Sequence, residues 1–144
     1  MLSAIEEERR RAEHLFYVSL KYTKTSEVIV SLLERWCSLI DLCISLLLKK
    51  AKKNKKIKKI PEVPKLKIEE TKRVYKEDIV KEVLELYGLL RKLPKLKKYG
   101  EHEFRKNVCL VIDEKGKKIV VNMEKLKEWN KLISEFLKYV RHVK

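Results

Sequence analysis

Glutamine is absent from these 144 residues, and glycine and proline occur only three times each. Each scarcity excludes something. Three glycines cannot build a P-loop or a dinucleotide fingerprint, because both need several backbone positions free of Cβ beside a phosphate. No Gly-x-Ser-x-Gly elbow is present either. The three cysteines, Cys37, Cys43 and Cys109, are an odd number with no CxxC spacing. No disulfide framework is expected from them. Zinc needs four convergent ligands, whereas Cys37 and Cys43 lie six apart on one helix and point to different faces. No metal site and no cofactor is therefore expected. The longest apolar tract, Trp36 to Leu48, is thirteen residues long and is broken by Ser38, Asp41 and Ser45. A membrane crossing takes about 20 residues. The charged cluster Glu6 to Arg11 leaves no room for a signal peptide. The sequence thus reads as cytoplasmic, with no membrane segment.

Acid is the remaining shortage. The chain has 36 Lys and Arg against 21 Asp and Glu, a net charge of +15. The surplus is concentrated. Residues 49–72 hold eleven Lys and three Glu, and with the segment 91–98 they account for thirteen of the fifteen charges. Such a field attracts polyanions and steers their approach. Lysine and glutamate are enriched, with 28 Lys and 18 Glu. With no glutamine, this is the composition of heat-adapted proteins and points to a thermophilic archaeal source.

Apolar spacing organises the rest. Ile5, Ala12, Leu15, Phe16 and Leu20 recur at helical intervals, predicting a first helix over 3–22. Ser3 and Glu6 have the spacing of a capping box. Thr25 or Ser26 begins a second helix over 26–53, apolar around much of its girth. Such a helix sits centrally in a bundle or pairs with a second copy, so a homodimer is expected. Pro61 and Pro64 predict an extended connector over 54–68. A third helix carries Ile79, Val80, Val83, Leu86, Tyr87 and Leu90 and stops before Pro94. The period then changes. Phe104, Val108, Leu110 and Ile112, the Asp113–Gly116 turn and Ile119–Val121 predict a β-hairpin over 102–122. Asn122 caps a last helix. The expected fold is mainly α: one domain over 1–144, four helices, a basic connector over 49–72, and a β-hairpin before the last helix.

Three histidines are the candidates for proton transfer. Arg10 and His14 share a helix face at i, i+4. An Arg–His pair can cleave RNA, with His as base on the 2′-hydroxyl and Arg against the phosphorane charge. His102 lies between two glutamates, and His142 near a helix end, where its charge suits the dipole.

The segment Arg9–Tyr17 and the apolar run Ser31–Leu48, with the order of helices, resemble an archaeal branch of the HEPN superfamily. That resemblance implies a small helical bundle, often dimeric, acting as a metal-independent ribonuclease or as a catalytically silent binding module. The family's active motif is an Arg followed by His one to two helical turns later, near the last helices. Here Arg105 has no such His, and His142 follows Arg141 directly. Arg9 and His14 have the spacing, on the first helix instead. The silent module is the expected form. It would bind RNA or another polyanion through Lys52, Lys53, Lys55, Lys56, Lys58 and Lys59, with Lys95, Lys97 and Lys98 as a second contact. The alternatives are a ribonuclease and a structural partner subunit.

Overall fold

The computed structural model describes residues 2–144. Its first helix, α1, joins an α segment Leu2–His14, a π turn Leu15–Ser19 and a last α turn Leu20–Tyr22. There follow α2 (Ser26–Lys53), α3 (Pro64–Val74), α4 (Asp78–Lys92), β1 (Lys97–Glu101), β2 (Cys109–Glu114), β3 (Lys117–Val121) and α5 (Met123–His142). The fold is mainly α with a small antiparallel sheet before the last helix, as the sequence predicts.

The axis of the molecule is α2. Thr25 Oγ1 accepts from the Val28 amide and starts it. Ile29, Leu32, Leu33, Trp36, Leu39, Ile40, Cys43, Ile44 and Leu47 are all buried. Each buried aliphatic side chain contributes about 1.5–3 kcal/mol against exposure. All four other helices and the sheet pack on α2. Leu48 is buried, while Val30, Leu42 and Leu46 are half-buried against the core. No large exposed apolar residue among those described belongs to α2. The helix is central because its own chain covers it.

Several boundaries differ from expectation. Residues 49–72 are not one connector. Lys49–Lys53 complete α2, only 54–63 is irregular, and Pro64 opens α3, a fifth helix. Proline suits the first helical position because that N–H has no intrahelical partner to lose. The hairpin also belongs to a larger unit. β2 pairs with β3 around the Lys115–Gly116 turn, and β1 pairs with the other edge of β2. Residues 102–108 are a loop, not a strand, and Phe104 in it is 76% exposed. His102 is also in that loop, with a left-handed backbone at φ 57°. Ser3 is inside α1 and does not cap it; the Glu6 carboxylate accepts from Arg9 and Arg141 instead.

The sheet turns Gly100, Leu110 and Val121, in register, toward the core. Gly100 lies against the start of α2: a Cβ there would be 2.2 Å from Ser26 Oγ. Glycine at this position sets how closely the sheet meets the helix bundle. At the far end, Asn122 Oδ1 accepts from the Lys125 amide and caps α5, as expected. Lys50 Nζ donates to the carbonyls of Val140 and Val143, tying the end of α5 to α2.

Candidate nucleic-acid interface

The predicted lysines fall into two groups. Lys52 and Lys53 are exposed on the last turn of α2. The helix then ends in a Schellman motif: the Lys55 amide donates to the Lys52 carbonyl, and the Lys56 amide to that of Ala51. This puts Lys55 in the left-handed region at φ 61°. Ile57 is buried, which pins the connector and leaves Lys58 and Lys59 on its outer side. Lys56 Nζ lies 6.0 Å from the centre of the Tyr75 ring, and Arg73 Nη2 reaches the Lys56 carbonyl. Tyr75 is itself fixed by donating its hydroxyl proton to the Leu47 carbonyl at 2.7 Å.

The second group divides. Lys95 is exposed in a short 3-10 turn and Lys97 is exposed on β1. Lys98 is half-buried on the core-facing side of β1, and its Nζ donates to the carbonyls of Leu93 and Leu96. It holds the turn together and is not part of an outer surface.

Folding brings the two charge-rich segments together at Lys65 and Arg91–Lys95, which the sequence does not reveal, although none of Lys52–Lys59 lines that place. α3 doubles back along α4, so the start of α3 lies beside the end of α4. A groove of about 480 Å³ forms there. Val63, Pro64, Ile68 and Gly88 are its apolar members; Lys65, Arg91, Lys92 and Lys95 are its cations. No carboxylate lines it. Lys65, Arg91 and Lys92 were not among the expected contacts, although each lies inside one of the two charge-rich segments.

Arg91 is oriented from the other side. It also lines a neighbouring cleft with Glu34, Cys37, Asp41 and Tyr87. The Tyr87 hydroxyl donates to Asp41 Oδ1 at 2.7 Å and accepts from Arg91 Nη1 at 3.5 Å. Burial pushes the Tyr87 phenol up to about 12, with Arg91 opposing and Asp41 adding to the shift. The Cys37 thiol is raised too, first by burial and then by Asp41, so it remains a thiol and no nucleophile at neutral pH.

The arginines of α1 are mostly compensated by acids. On α1, Arg9 binds Glu6 and Glu13, and Arg11 binds Glu7 and Glu8. Arg35 also reaches Glu8, and Arg141 reaches Glu6. Hydrogen bonds from Arg9 and Arg141, against a smaller desolvation cost, hold the Glu6 carboxyl below its usual range. Lysines are mostly unpaired throughout: among the described residues none of those in 49–72 forms an ion pair, Lys92–Glu114 at 3.6 Å is the one pair in 91–98, and Lys125–Glu128 is the one lysine pair elsewhere.

The histidine candidates are rearranged. Arg9 faces its glutamates, away from His14, and Arg10 is exposed without an ion pair among the described residues. His14 instead shares an open cleft of about 420 Å³ with Arg11, Ser31 and Arg35. Its Nδ1 is 3.5 Å from Ser19 Oγ, across the π turn. Glu8, 8% exposed, receives both Arg11 and Arg35 on Oε1, while its buried Oε2 has no partner. His142 Nδ1 is bonded to the Lys138 carbonyl. Among the described residues no three His, Cys, Asp or Glu side chains converge as metal ligands, and no helix is long and apolar enough to cross a membrane.

Comparison with protein-family models, curated proteins and solved structures finds no significant match to this chain.

Proposed function

We propose that this chain is a non-enzymatic, HEPN-like helical module that binds RNA through Lys52–Lys59 and the groove at Lys65, Arg91 and Lys95. One observation carries the reading. The lysines of 49–72 outnumber its glutamates eleven to three and form no ion pair among the described residues, and no carboxylate lines the groove at Lys65, Arg91 and Lys95. Uncompensated cations on flexible stems suit phosphates better than base edges. Binding is then weakly dependent on sequence and steeply dependent on salt. Fluorescence anisotropy with a labelled single-stranded RNA tests this. Neutralising about five phosphates gives a log–log salt slope near −3.5. Replacing Lys52, Lys53, Lys58 and Lys59 by Gln flattens it by about 0.7 for each lysine that had held a phosphate. No binding at low salt, or an unchanged slope in the variant, refutes the reading.

A second reading, a metal-independent ribonuclease, is favoured by one arrangement: His14, Arg11 and Arg35 line a single cleft. RNA cleavage in excess chelator that His14→Ala abolishes would replace the first reading with the second.

A further inference from the structure

Gly88 lies inside α4, where glycine makes a weaker helix than alanine. Crowding does not explain it, because a Cβ built at Gly88 meets nothing within 4 Å. Backbone conformation does not explain it either, because the residue is helical. Gly88 lines the groove between α3 and α4, and the open space where its side chain would be belongs to that groove.

The chemistry of that groove is specific. Its cations surround an apolar stretch from Val63, Pro64 and Ile68, with no acid in the lining. A volume of about 480 Å³ is in the range of small-molecule sites. This combination complements a flat, largely apolar ring joined to a phosphate. A duplex keeps the faces of its bases inside the stack, whereas a single strand can turn them out onto a protein surface.

We propose that the groove beside Gly88 receives one unstacked base of a single-stranded nucleic acid, with the adjoining phosphates on Arg91 and Lys95. The proposal rests on the RNA-binding reading and names its substrate class. The Tyr87–Asp41 pair is the positioning element, since Tyr87 steadies Arg91 from behind the groove.

Stability and binding are then set against each other at one residue. Gly88→Ala strengthens the helix and raises Tm by about 3 °C. Gly88→Leu fills the groove without changing any charge. The probe is a labelled oligouridine of about 12 nucleotides, within the span that single-strand-binding sites cover. The comparison probes are a duplex of equal length and a polyglutamate. Gly88→Leu weakens oligouridine binding about tenfold, the scale set by the apolar contact a base loses with Pro64 and Ile68, with the salt slope and duplex binding unchanged. Gly88→Ala, the smaller plug, weakens it in the same direction even as the protein melts higher. It serves as the test if the Leu variant does not fold. A well-folded variant that binds oligouridine as tightly as wild type overturns the proposal. So does a loss confined to polyglutamate, which would make the groove a protein-binding site. If wild type binds single strand and duplex alike and Gly88→Leu is neutral, only this inference fails. If wild type binds neither at low salt, the RNA-binding reading fails with it.

Discussion

The carboxylate of Glu103 accepts two hydrogen bonds from Ser26, one from its backbone amide at 2.7 Å and one from its hydroxyl at 2.9 Å. Ser26 is the first residue of α2, so its amide is one of the donors that a helix start leaves unpaired. A negative charge is favourable at that end. A residue 77 positions away thus helps cap the central helix, and the 102–108 loop is tied down by the same contact.

Glu103→Ala is expected to cost about 1 kcal/mol, the usual value of a lost helix cap. Urea unfolding monitored by circular dichroism measures it. Hydrogen exchange at the Ser26 amide should accelerate in the variant. An unchanged unfolding midpoint would show that water replaces the carboxylate without loss.

Gly100→Ala places a Cβ within 2.5 Å of Ser26 Cβ and closer still to its Oγ. Overpacking of this kind costs about 1–3 kcal/mol. Ser26→Gly removes both obstructing atoms, so the double variant should recover part of the loss. A double-mutant cycle measures the coupling. Additive losses would contradict the contact.

Tyr87→Phe tests alkaline stability. The folded phenol is raised from about 10 to about 12, chiefly by burial. A raised folded pKa means the stabilisation is complete below the unfolded value and is lost as pH climbs through the folded one. Wild type should therefore lose stability between about pH 10 and 12, and Tyr87→Phe should flatten that limb. Near neutrality the variant is less stable by about 1 kcal/mol, because Asp41 loses its donor. Denaturant midpoints across pH, with tyrosinate absorbance, decide the matter.

Lys55→Gly should stabilise the protein. Lys55 holds φ 61° at the position after the α2 cap, which glycine occupies without penalty. A left-handed backbone costs a side-chain-bearing residue roughly 1–2 kcal/mol. The thermal midpoint should rise, and the salt slope for RNA should fall by about 0.7 if Lys55 holds a phosphate. A lower midpoint would mean that the lysine stem contributes packing that outweighs its strain.

Much of the fold was legible where local signals agreed. Thr25 and Asn122 marked helix starts through their capping side chains, and both caps form. The Lys115–Gly116 turn was visible because Gly116 adopts φ 87° readily. α3 was not visible, because Pro61 and Pro64 both argue for extended chain and only the context makes Pro64 a helix start. β1 was missed because Lys97–Glu101 has a single apolar side chain, Tyr99, and pairs with a strand beyond a loop. Of the interface, the lysines were plain from composition. The groove was hidden, since Lys65 meets Arg91 only when α3 folds back on α4. Gly88 was the overlooked signal: an isolated glycine inside a helical pattern asks for a reason.

The π turn in α1 also acts as an angular offset. The Leu20 amide bonds to the Leu15 carbonyl, five residues back, so this turn holds one residue more than an α turn would. One residue corresponds to about 100° around a helix. The arginine-rich half, with Ile5, Glu8 and Ala12 inward, is thus phased independently of the half that buries Leu20. Deleting one residue from Leu15–Ser19 would absorb the wide turn and leave Leu20 where it is, whereas rewinding all five as regular α-helix would swing Leu20 and the approach to Lys24 by about that angle, with the Glu8–Arg35 contact staying in place. The Lys24 carbonyl, which accepts from the Phe104 amide, would be carried off its partner. The winding of this short stretch therefore sets the dial by which one end of the first helix is aligned with the sheet.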